Sequence, residues 1–276
     1  MLEYVSLDLG VRMAFRLAIK LGGGLITDKG SMKEFDHEAV ERVVNSLRSV
    51  SDLGASIVLV HGAGSFGHLL AKKWGVADGL DERREKGQRK AVRDIRSDMR
   101  ELNGLIIGKF REVGLECSCH PPSEWATGIG PGFSGDLSFF ERGPKDPIPV
   151  TFGDVVDTVD EAEFGILSGD DLMLRLSTEM DVTHCIFLVG DSAGVLSGPP
   201  GEAGSELITH LDHDTKSRGE HNANIDVTGG IGLKIERSLD IARTVDEVWI
   251  IDGREPKRIL ELLTSGETIG TKILGG

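Results

Sequence analysis

The sequence predicts an α/β protein built on a parallel sheet that helices cover. Short β-branched runs alternate with segments of helical period, which is typical of strand–helix–strand units. The strand candidates are continuously apolar, as expected when both faces of a parallel sheet are buried. Five strands are predicted, at residues 17–21, 57–60, 148–151, 185–189 and 248–251.

Helices are predicted between these strands. One apolar face at helical spacing consists of Ala39, Val40, Val43, Val44, Leu47 and Val50. A longer helix is predicted over residues 82–113, apolar on one side and heavily charged on the other. Residues 155–165 indicate a turn or hairpin, and residues 198–220 an irregular polar loop. Residues 1–12 do not fit the pattern; they are interpreted as an extra edge strand or an attached extension, with Met13 as an alternative start.

Length and composition fit a globular protein. A chain of 276 residues suits one large α/β domain or two fused lobes, and 39% hydrophobic residues suffice for a core. No apolar run approaches the roughly 18 residues of a membrane-spanning helix. The first ten residues carry acids where a signal peptide carries positive charge. A cytoplasmic protein that binds no membrane is expected.

The charge balance restricts the partners. A formal net charge of −14 argues against nucleic-acid binding, which needs a positive surface to displace counterions. An anionic substrate must therefore be held by a few local cations. The lysines of interest are those in glycine-rich loops.

No metal site is predicted from the cysteines or histidines. Cys117, Cys119 and Cys185 form no paired framework, and Cys117-Ser-Cys119-His120 lacks a second ligand pair at zinc spacing. A second polar group matches no strong motif and is interpreted as a solvated loop; it consists of His210, Asp212, His213 and His221.

The first of three glycine-rich segments is KLGGGLITDK at residues 20–29. In open α/β sheets, ligands bind beyond the carboxyl ends of the strands, where glycines let backbone N–H groups approach phosphate oxygens. Lys20 is predicted inside a strand, and Lys29 follows the loop. A strand-to-turn junction with solvent-exposed lysines is the alternative for this segment.

The second segment is HGAGSFGH at residues 61–68, which follows a strand and opens a helix. Its Gly62, Gly64 and Gly67 match G-x-G-x-x-G, so a dinucleotide-binding oxidoreductase is an alternative. That fingerprint requires an acidic residue after a second strand, and no such strand precedes Asp78. The loop is therefore interpreted as an anion site, with His68 at its helical end.

The third segment is DVTGGIGLK at residues 226–234, which precedes a helix predicted over residues 235–245. A helix N-terminus that follows glycines and holds Lys234 can bind nucleotide phosphates. Its alternative is a glycine turn with an exposed lysine. Two acidic elements complete the pattern: Asp170 and Asp171 precede a helix, where either could be an N-cap, and Asp154 follows the strand at 148–151.

These segments, in this order, resemble the amino-acid-kinase family, and most closely its isopentenyl phosphate kinases. The His-Gly-x-Gly-Ser-Phe-Gly-His element is the most specific. The matching pieces are KLGGGLITDK at 20–29, HGAGSFGH at 61–68, FGDVV at 152–156, LSGDD at 167–171, DVTGGI at 226–231 with Lys234, and IGTKI at 269–273.

The resemblance implies an open αβα sandwich with a mainly parallel central sheet. It also implies a single domain over residues 1–276, with an acceptor-binding and dimerisation lobe at 13–165 and a nucleotide-binding lobe at 166–276. The expected reaction is phosphoryl transfer from ATP, with Mg²⁺, to a phosphate monoester such as isopentenyl phosphate. A cytoplasmic homodimer is expected.

The resemblance also implies roles for individual residues. Lys20 and Lys29 are expected to contact the transferring phosphoryl group, Asp170 to orient them, and Lys234 to hold the nucleotide phosphates. The other expected nucleotide-binding residues are Gly22, Gly23, Gly24, Gly190, Asp191, Gly229 and Gly230. The acceptor phosphate is expected at Ala63, Gly64, His68 and Gly169. Apart from the resemblance, the apolar face of the long helix is expected to meet the acceptor's tail, with Val92, Ile95 and Met99 as candidates and plain core positions as the alternative.

Two departures from the family pattern stand out. Gly24 occupies a position where many relatives have serine, so one hydroxyl is absent. The segment at 190–195 carries one acid fewer than in relatives, which bears on nucleotide preference. Alternative functions are a fosfomycin-kinase-like enzyme and a non-catalytic nucleotide-binding protein.

Overall fold

The computed structural model describes residues 15–28, 30–214 and 230–276. Its described helices and strands alternate along the chain, as predicted. The strands are β1 Arg16–Leu21, β2 Ser56–His61, β3 Cys117–Cys119, β4 Ala126–Thr127, β5 Ser134–Gly135, β6 Ile148–Phe152, β7 Asp154–Asp157, β8 Phe164–Leu167, β9 His184–Val189, β10 His210–Leu211, β11 Glu247–Asp252 and β12 Thr271–Ile273. The helices are α1 Gly23–Ile26, α2 His37–Asp52, α3 Gly64–Trp74, α4 Glu85–Glu112, α5 Pro122–Trp125, α6 Gly169–Glu179, α7 Gly230–Ile241 and α8 Lys257–Ser265, with short 3₁₀ helices at Val76–Asp78 and Ser138–Phe140.

Eight strands form the central sheet, in the order β10-β12-β11-β9-β1-β2-β6-β3. Strands β1, β2, β3, β6, β9 and β11 are mutually parallel, whereas β12 runs antiparallel to β11. The mainly parallel sheet is confirmed. The chain builds outward from β1 in one direction through β2 and later returns to β9 on the other side. The carboxyl ends of β1, β2 and β9 therefore border the point where the strand order reverses, which is where open α/β sheets bind ligands.

Helices cover both faces of the sheet, which confirms the αβα sandwich. Alternation along β1 sends Leu17 and Ile19 into a core shared with α2, α4 and α8, and Ala18 into a core shared with α6 and α7. The same alternation places Lys20 on the face of the sheet that α6 covers.

A smaller sheet, in the order β5-β4-β7-β8, lies next to the large one. Its β7 and β8 form an antiparallel hairpin in which Asp154 faces Leu167, so the hairpin predicted near residues 155–165 is confirmed. The boundary proposed between the two lobes, at 165/166, falls inside β8.

The five predicted strands and the two long helices are confirmed, with bounds that differ by one to three residues. Three details of the predictions were wrong. The loop at 198–220 contains β10, which pairs with β12. The helix expected from residue 235 begins at Gly230, so Lys234 lies within it. The N-cap of α6 is Ser168, not an aspartate, because the Ser168 side chain accepts the N–H of Asp171.

Residues 1–14, 29 and 215–229 lie outside the described residues. The predictions for the N-terminal extension, Lys29, His221 and Gly229 fall there. Within the described ranges, no helix combines the length and apolar character needed to cross a membrane.

Candidate active site

A cavity of about 690 Å³ opens at the carboxyl ends of β1, β2 and β9. Three glycine-containing loops and the first turn of α7 converge on it. Most of the residues predicted from the sequence line it: Lys20, Gly22, Gly23, Gly24, Ala63, Gly64, His68, Ile95, Met99, Gly169, Asp170, Gly190, Asp191 and Lys234. Val92 is not among the lining residues; it is buried in the core under α4.

The loops after β1 and β2 touch backbone to backbone. A Cβ added to Gly23 would lie 2.5 Å from the nitrogen of Gly64, and one added to Gly62 would lie 2.7 Å from the nitrogen of Gly23. Only glycine permits this approach. The first loop is predicted to bind nucleotide and the second to bind the acceptor phosphate, so the contact holds the two proposed phosphate positions close together.

A buried hydroxyl that sequence reasoning missed joins the same two loops. The Ser65 N–H donates to Thr27 Oγ1 at 2.9 Å, and the Thr27 hydroxyl donates to the Gly23 carbonyl at 2.8 Å. Thr27 is only 3% exposed. It therefore fixes the N-terminus of α3 against the first glycine loop, over a sequence separation that no local pattern reveals.

One carboxylate lies between two ammonium groups at the inner end of the cavity. Asp170 Oδ1 is 2.6 Å from Lys20 Nζ and 3.1 Å from Lys234 Nζ. All three side chains are about nine-tenths buried. Buried charges require partners, and here the cations outnumber the anion by two to one. This cluster is therefore suited to hold a further anion.

The pKa values follow from this arrangement. Burial lowers the pKa of Lys20 to about 8, against the attraction of Asp170 and with a further lowering from Lys234. Burial alone would raise the pKa of Asp170, but the positive charges of Lys20 and Lys234 outweigh it and hold the value at about 2. Asp170 is thus an anion at neutral pH, and Lys20 is a cation that loses its proton unusually easily.

Helix N-termini add to the positive potential. Both α3 and α6 begin at the cavity, with Gly64 and Gly169 as their first residues. The first N–H groups of a helix have no intrahelical acceptor and attract anions. A Cβ on Gly169 would lie 3.0 Å from Lys20 Cε, so glycine is needed where the lysine passes over the helix start.

The two histidines of the HGAGSFGH element have different environments. His68 is exposed to the cavity from the first turns of α3. His61 is fully buried, with its ring nitrogens 3.1 Å from the Gly62 carbonyl and 3.2 Å from Asn103 Oδ1. Burial lowers the pKa of His61 to about 4, so it is neutral near pH 7. Of the two, only His68 can meet a bound phosphate.

The part of the cavity beside His68 is apolar. Its walls are formed by α3, α4 and the β7–β8 hairpin. The apolar lining residues there are Leu69, Ala71, Ile95, Met99, Val155 and Ile166. Sequence reasoning found Ile95 and Met99 from the helical period of α4, but it missed Val155 and Ile166 because a hairpin's orientation is a tertiary property.

A second ion pair joins α6 to α7. Arg237 Nε donates to Asp171 Oδ1 at 2.7 Å, and the Ser168 hydroxyl donates to Asp171 Oδ2 at 2.7 Å. Asp171 thus serves in a reciprocal capping arrangement with Ser168 and as the partner of Arg237. Sequence reasoning did not identify Arg237.

No group of three or more His, Cys, Asp or Glu side chains is arranged to hold a metal ion in the part of the chain that the structure describes. Asp170, the buried acid of the cavity, is already engaged by two lysines.

The sequence model of the amino acid kinase family matches residues 16–252 of this chain. The chain belongs to this family. Among curated proteins, it is 30% identical to an isopentenyl phosphate kinase of Thermoplasma acidophilum, over 88% of this chain and 94% of that protein. It is 29% identical to an isopentenyl phosphate kinase of Methanothermobacter thermautotrophicus, over 94% of this chain and 99% of that protein.

Solved structures agree with this assignment. The product complex of the T. acidophilum isopentenyl phosphate kinase superposes with a TM-score of 0.75 at 27% identity, covering 94% of this chain and 99% of that one. Another isopentenyl phosphate kinase crystal structure superposes with a TM-score of 0.80 at 25% identity and the same coverage.

Proposed function

We propose that this chain is an isopentenyl phosphate kinase, which transfers the γ-phosphoryl group of ATP to isopentenyl phosphate and yields isopentenyl diphosphate and ADP. One observation carries the proposal: a single cavity is lined by the Lys20–Asp170–Lys234 cluster, by His68 and by a set of apolar side chains. An acceptor with a phosphate head and a hydrocarbon tail matches both the charged and the apolar lining. The similarity to isopentenyl phosphate kinases supports the same activity.

The acceptor needs no strong general base. A phosphate monoester has a second pKa near 6, so its oxygen is largely deprotonated at neutral pH. The obstacle is repulsion between two polyanions, and phosphoryl transfer is catalysed mainly by positioning and charge stabilisation. Lys20 and Lys234 neutralise the ATP side in this mechanism, and His68 with the Gly64 N–H holds the acceptor phosphate. Lys29 is proposed to act beside Lys20.

The nucleotide is proposed to lie along the loops that hold Gly22, Gly23, Gly24, Gly190 and Asp191, with Gly229 and Gly230 near its phosphates. Mg²⁺ is proposed to accompany ATP in the reaction. Because the buried carboxylate of Asp170 is paired with two ammonium groups, the ion would take most of its ligands from phosphate and water. When bound, it would supply further charge neutralisation on the nucleotide.

The apolar wall selects the acceptor. A buried hydrocarbon tail gains roughly 0.8 kcal/mol for each CH₂ removed from water. Ile95, Met99, Val155 and Ile166 offer no hydrogen-bond partners, so a polar acceptor would lose hydration there without compensation. This favours isopentenyl phosphate over a small polar phosphonate such as fosfomycin.

The assembly and the lobes are part of the same proposal. We propose an acceptor-binding and dimerisation lobe at 13–165, a nucleotide-binding lobe at 166–276 and a homodimer, on the family resemblance. Light scattering after size-exclusion chromatography tests the dimer. The cytoplasmic location stays a prediction from the sequence.

An ADP-release assay with an acceptor panel tests the proposed function. The purified chain would be given ATP, Mg²⁺ and, in turn, isopentenyl phosphate, isopentenol, fosfomycin or N-acetylglutamate. We expect turnover with isopentenyl phosphate and at most background rates with the others. Turnover with fosfomycin alone would show that the chain is a kinase but that isopentenyl phosphate is not its acceptor. Nucleotide binding without turnover on any acceptor would indicate a non-catalytic protein.

A further inference from the structure

The helices α6 and α7 are joined by two ion pairs that run side by side. Lys234 and Arg237 lie three residues apart on α7, and their partners Asp170 and Asp171 are consecutive on α6. The Lys234 pair faces the cavity. The Arg237 pair lies outside the cavity lining, and its side chains are only 11% and 6% exposed.

We propose that Arg237 is a positioning residue, which holds Lys234 at the nucleotide phosphates by fixing α7 on α6. The inference rests on the proposed function, in which Lys234 neutralises those phosphates. Residues three apart lie on the same side of a helix, so a bond at Arg237 fixes both the rotation and the register of the turn that carries Lys234. A lysine alone, on a flexible stem, cannot fix a helix in this way.

The far end of the Arg237 pair is itself anchored. Asp171 Oδ2 accepts the Ser168 hydroxyl, and the Asp171 N–H donates to Ser168 Oγ at 3.1 Å. Ser168 precedes Gly169, which is proposed to contact the acceptor phosphate. Arg237 therefore binds a carboxylate that Ser168 already holds at the N-terminus of α6, so loss of Arg237 should release α7 rather than the turn at Ser168.

The surroundings of Arg237 explain why the residue is an arginine. Its Nη1 lies 2.5 Å from Glu236 Oε1 and 3.9 Å from Asp240 Oδ2, so three carboxylates face one guanidinium. The planar group can serve several acceptors at once and stays charged at every accessible pH. Without it, Asp171 would be a buried, uncompensated charge next to Asp170.

A double-mutant cycle tests the proposal. Arg237→Met and Arg237→Lys would each be made in the wild type and in Lys234→Met, with Arg243→Met as the control on an exposed side chain. Steady-state kinetics would give kcat and both KM values, and calorimetry would give the ATP Kd. In the wild-type background we expect Arg237→Met to lower kcat/KM for ATP roughly 10- to 100-fold. The KM for isopentenyl phosphate should remain nearly unchanged.

The decisive result is non-additivity. If Arg237 acts through Lys234, Arg237→Met should have about a twofold effect or less on kcat/KM for ATP once Lys234 is methionine. Equal fold losses in both backgrounds would overturn the proposal and leave Arg237 a packing residue. Should Arg237→Met fail to fold, the milder Arg237→Lys completes the cycle.

The ATP Kd separates this proposal from the proposed function. It requires no acceptor, so the cycle can be measured even if isopentenyl phosphate is not turned over. Coupling between Arg237 and Lys234 in the Kd, without turnover, would support the positioning role and reject the acceptor. Turnover of isopentenyl phosphate without coupling in the Kd or in kcat/KM would support the acceptor and reject the positioning role of Arg237.

Discussion

The Lys20 ammonium lies 2.6 Å from Asp170 Oδ1, and the same oxygen also contacts Lys234 at 3.1 Å. A buried ion pair adds little net stability, because desolvation offsets the attraction, but removing one partner leaves a buried charge uncompensated. Asp170 is thus more than an orienting group. It is the only carboxylate that either lysine contacts within the described residues.

We expect Asp170→Asn to destabilise the nucleotide-free protein by about 3–5 kcal/mol, because Lys20 and Lys234 lose their counter-ion. Urea unfolding measures the change. Asp181→Asn is the control, since its pair with Arg16 is exposed and should contribute at most about 1 kcal/mol. Similar losses for both variants would contradict the buried-pair account.

We expect kcat/KM for ATP to fall as the pH rises above about 8, the pKa to which burial lowers Lys20. The protonated lysine is the form that attracts phosphate, and its population decreases through that pKa. Bound ATP stabilises the cation, so kcat should fall only at higher pH. Lys20→Arg keeps the charge and should remove this limb of the kcat/KM profile. An unchanged limb in that variant would assign the titration to another group.

We expect His68→Ala to lower kcat/KM for isopentenyl phosphate by about 100-fold, the usual cost of removing a group that stabilises charge at the reacting centre. The KM for ATP should change little, because His68 lies on the acceptor loop. His37→Ala, an exposed histidine at the start of α2, is the control. If His68→Ala changed only the KM for ATP, the proposed contact between His68 and the acceptor phosphate would be wrong.

We expect Gly23→Ala to abolish most activity, because its Cβ would lie 2.5 Å from the nitrogen of Gly64 and push the two loops apart. Gly104→Ala is the matched control. Gly104 is exposed within α4 and a Cβ there meets nothing within 4 Å, so that change should stabilise the protein by roughly 0.5–1 kcal/mol. Kinetics and thermal melts of both variants check the contrast. Full activity in Gly23→Ala would show that the loops need not touch.

The strands and most of the cavity could be predicted from the sequence for a physical reason. Parallel strands are buried on both faces and so read as apolar runs, and the loops that follow them must meet at one edge of the sheet. Lys20 could therefore be assigned to the ligand edge from its position near the end of a predicted strand, whereas Asp170 was assigned to the same site only by the family resemblance. Lys29 and Gly229 lie outside the described residues, and their roles stay predictions.

What the sequence could not predict depends on long-range contacts. Thr27 bonds to Ser65 across 38 residues, and Arg237 bonds to Asp171 across 66. No local sequence pattern indicates either contact. The cap of α6 was readable, because Ser168-x-x-Asp171 has the spacing of a capping box. The start of α7 at Gly230 could not be predicted, because glycine disfavours helix interiors and Gly230 and Gly232 therefore indicate a loop.

The central claim is that one cavity brings the ATP γ-phosphate to an acceptor phosphate. Phosphorus NMR of a mixture of the protein, ATP, Mg²⁺ and isopentenyl phosphate tests it most directly. We expect loss of the isopentenyl phosphate monoester signal and growth of two coupled diphosphate signals, in step with ADP. ADP accompanied only by inorganic phosphate, or an unchanged monoester signal under conditions where ATP binds, would contradict it.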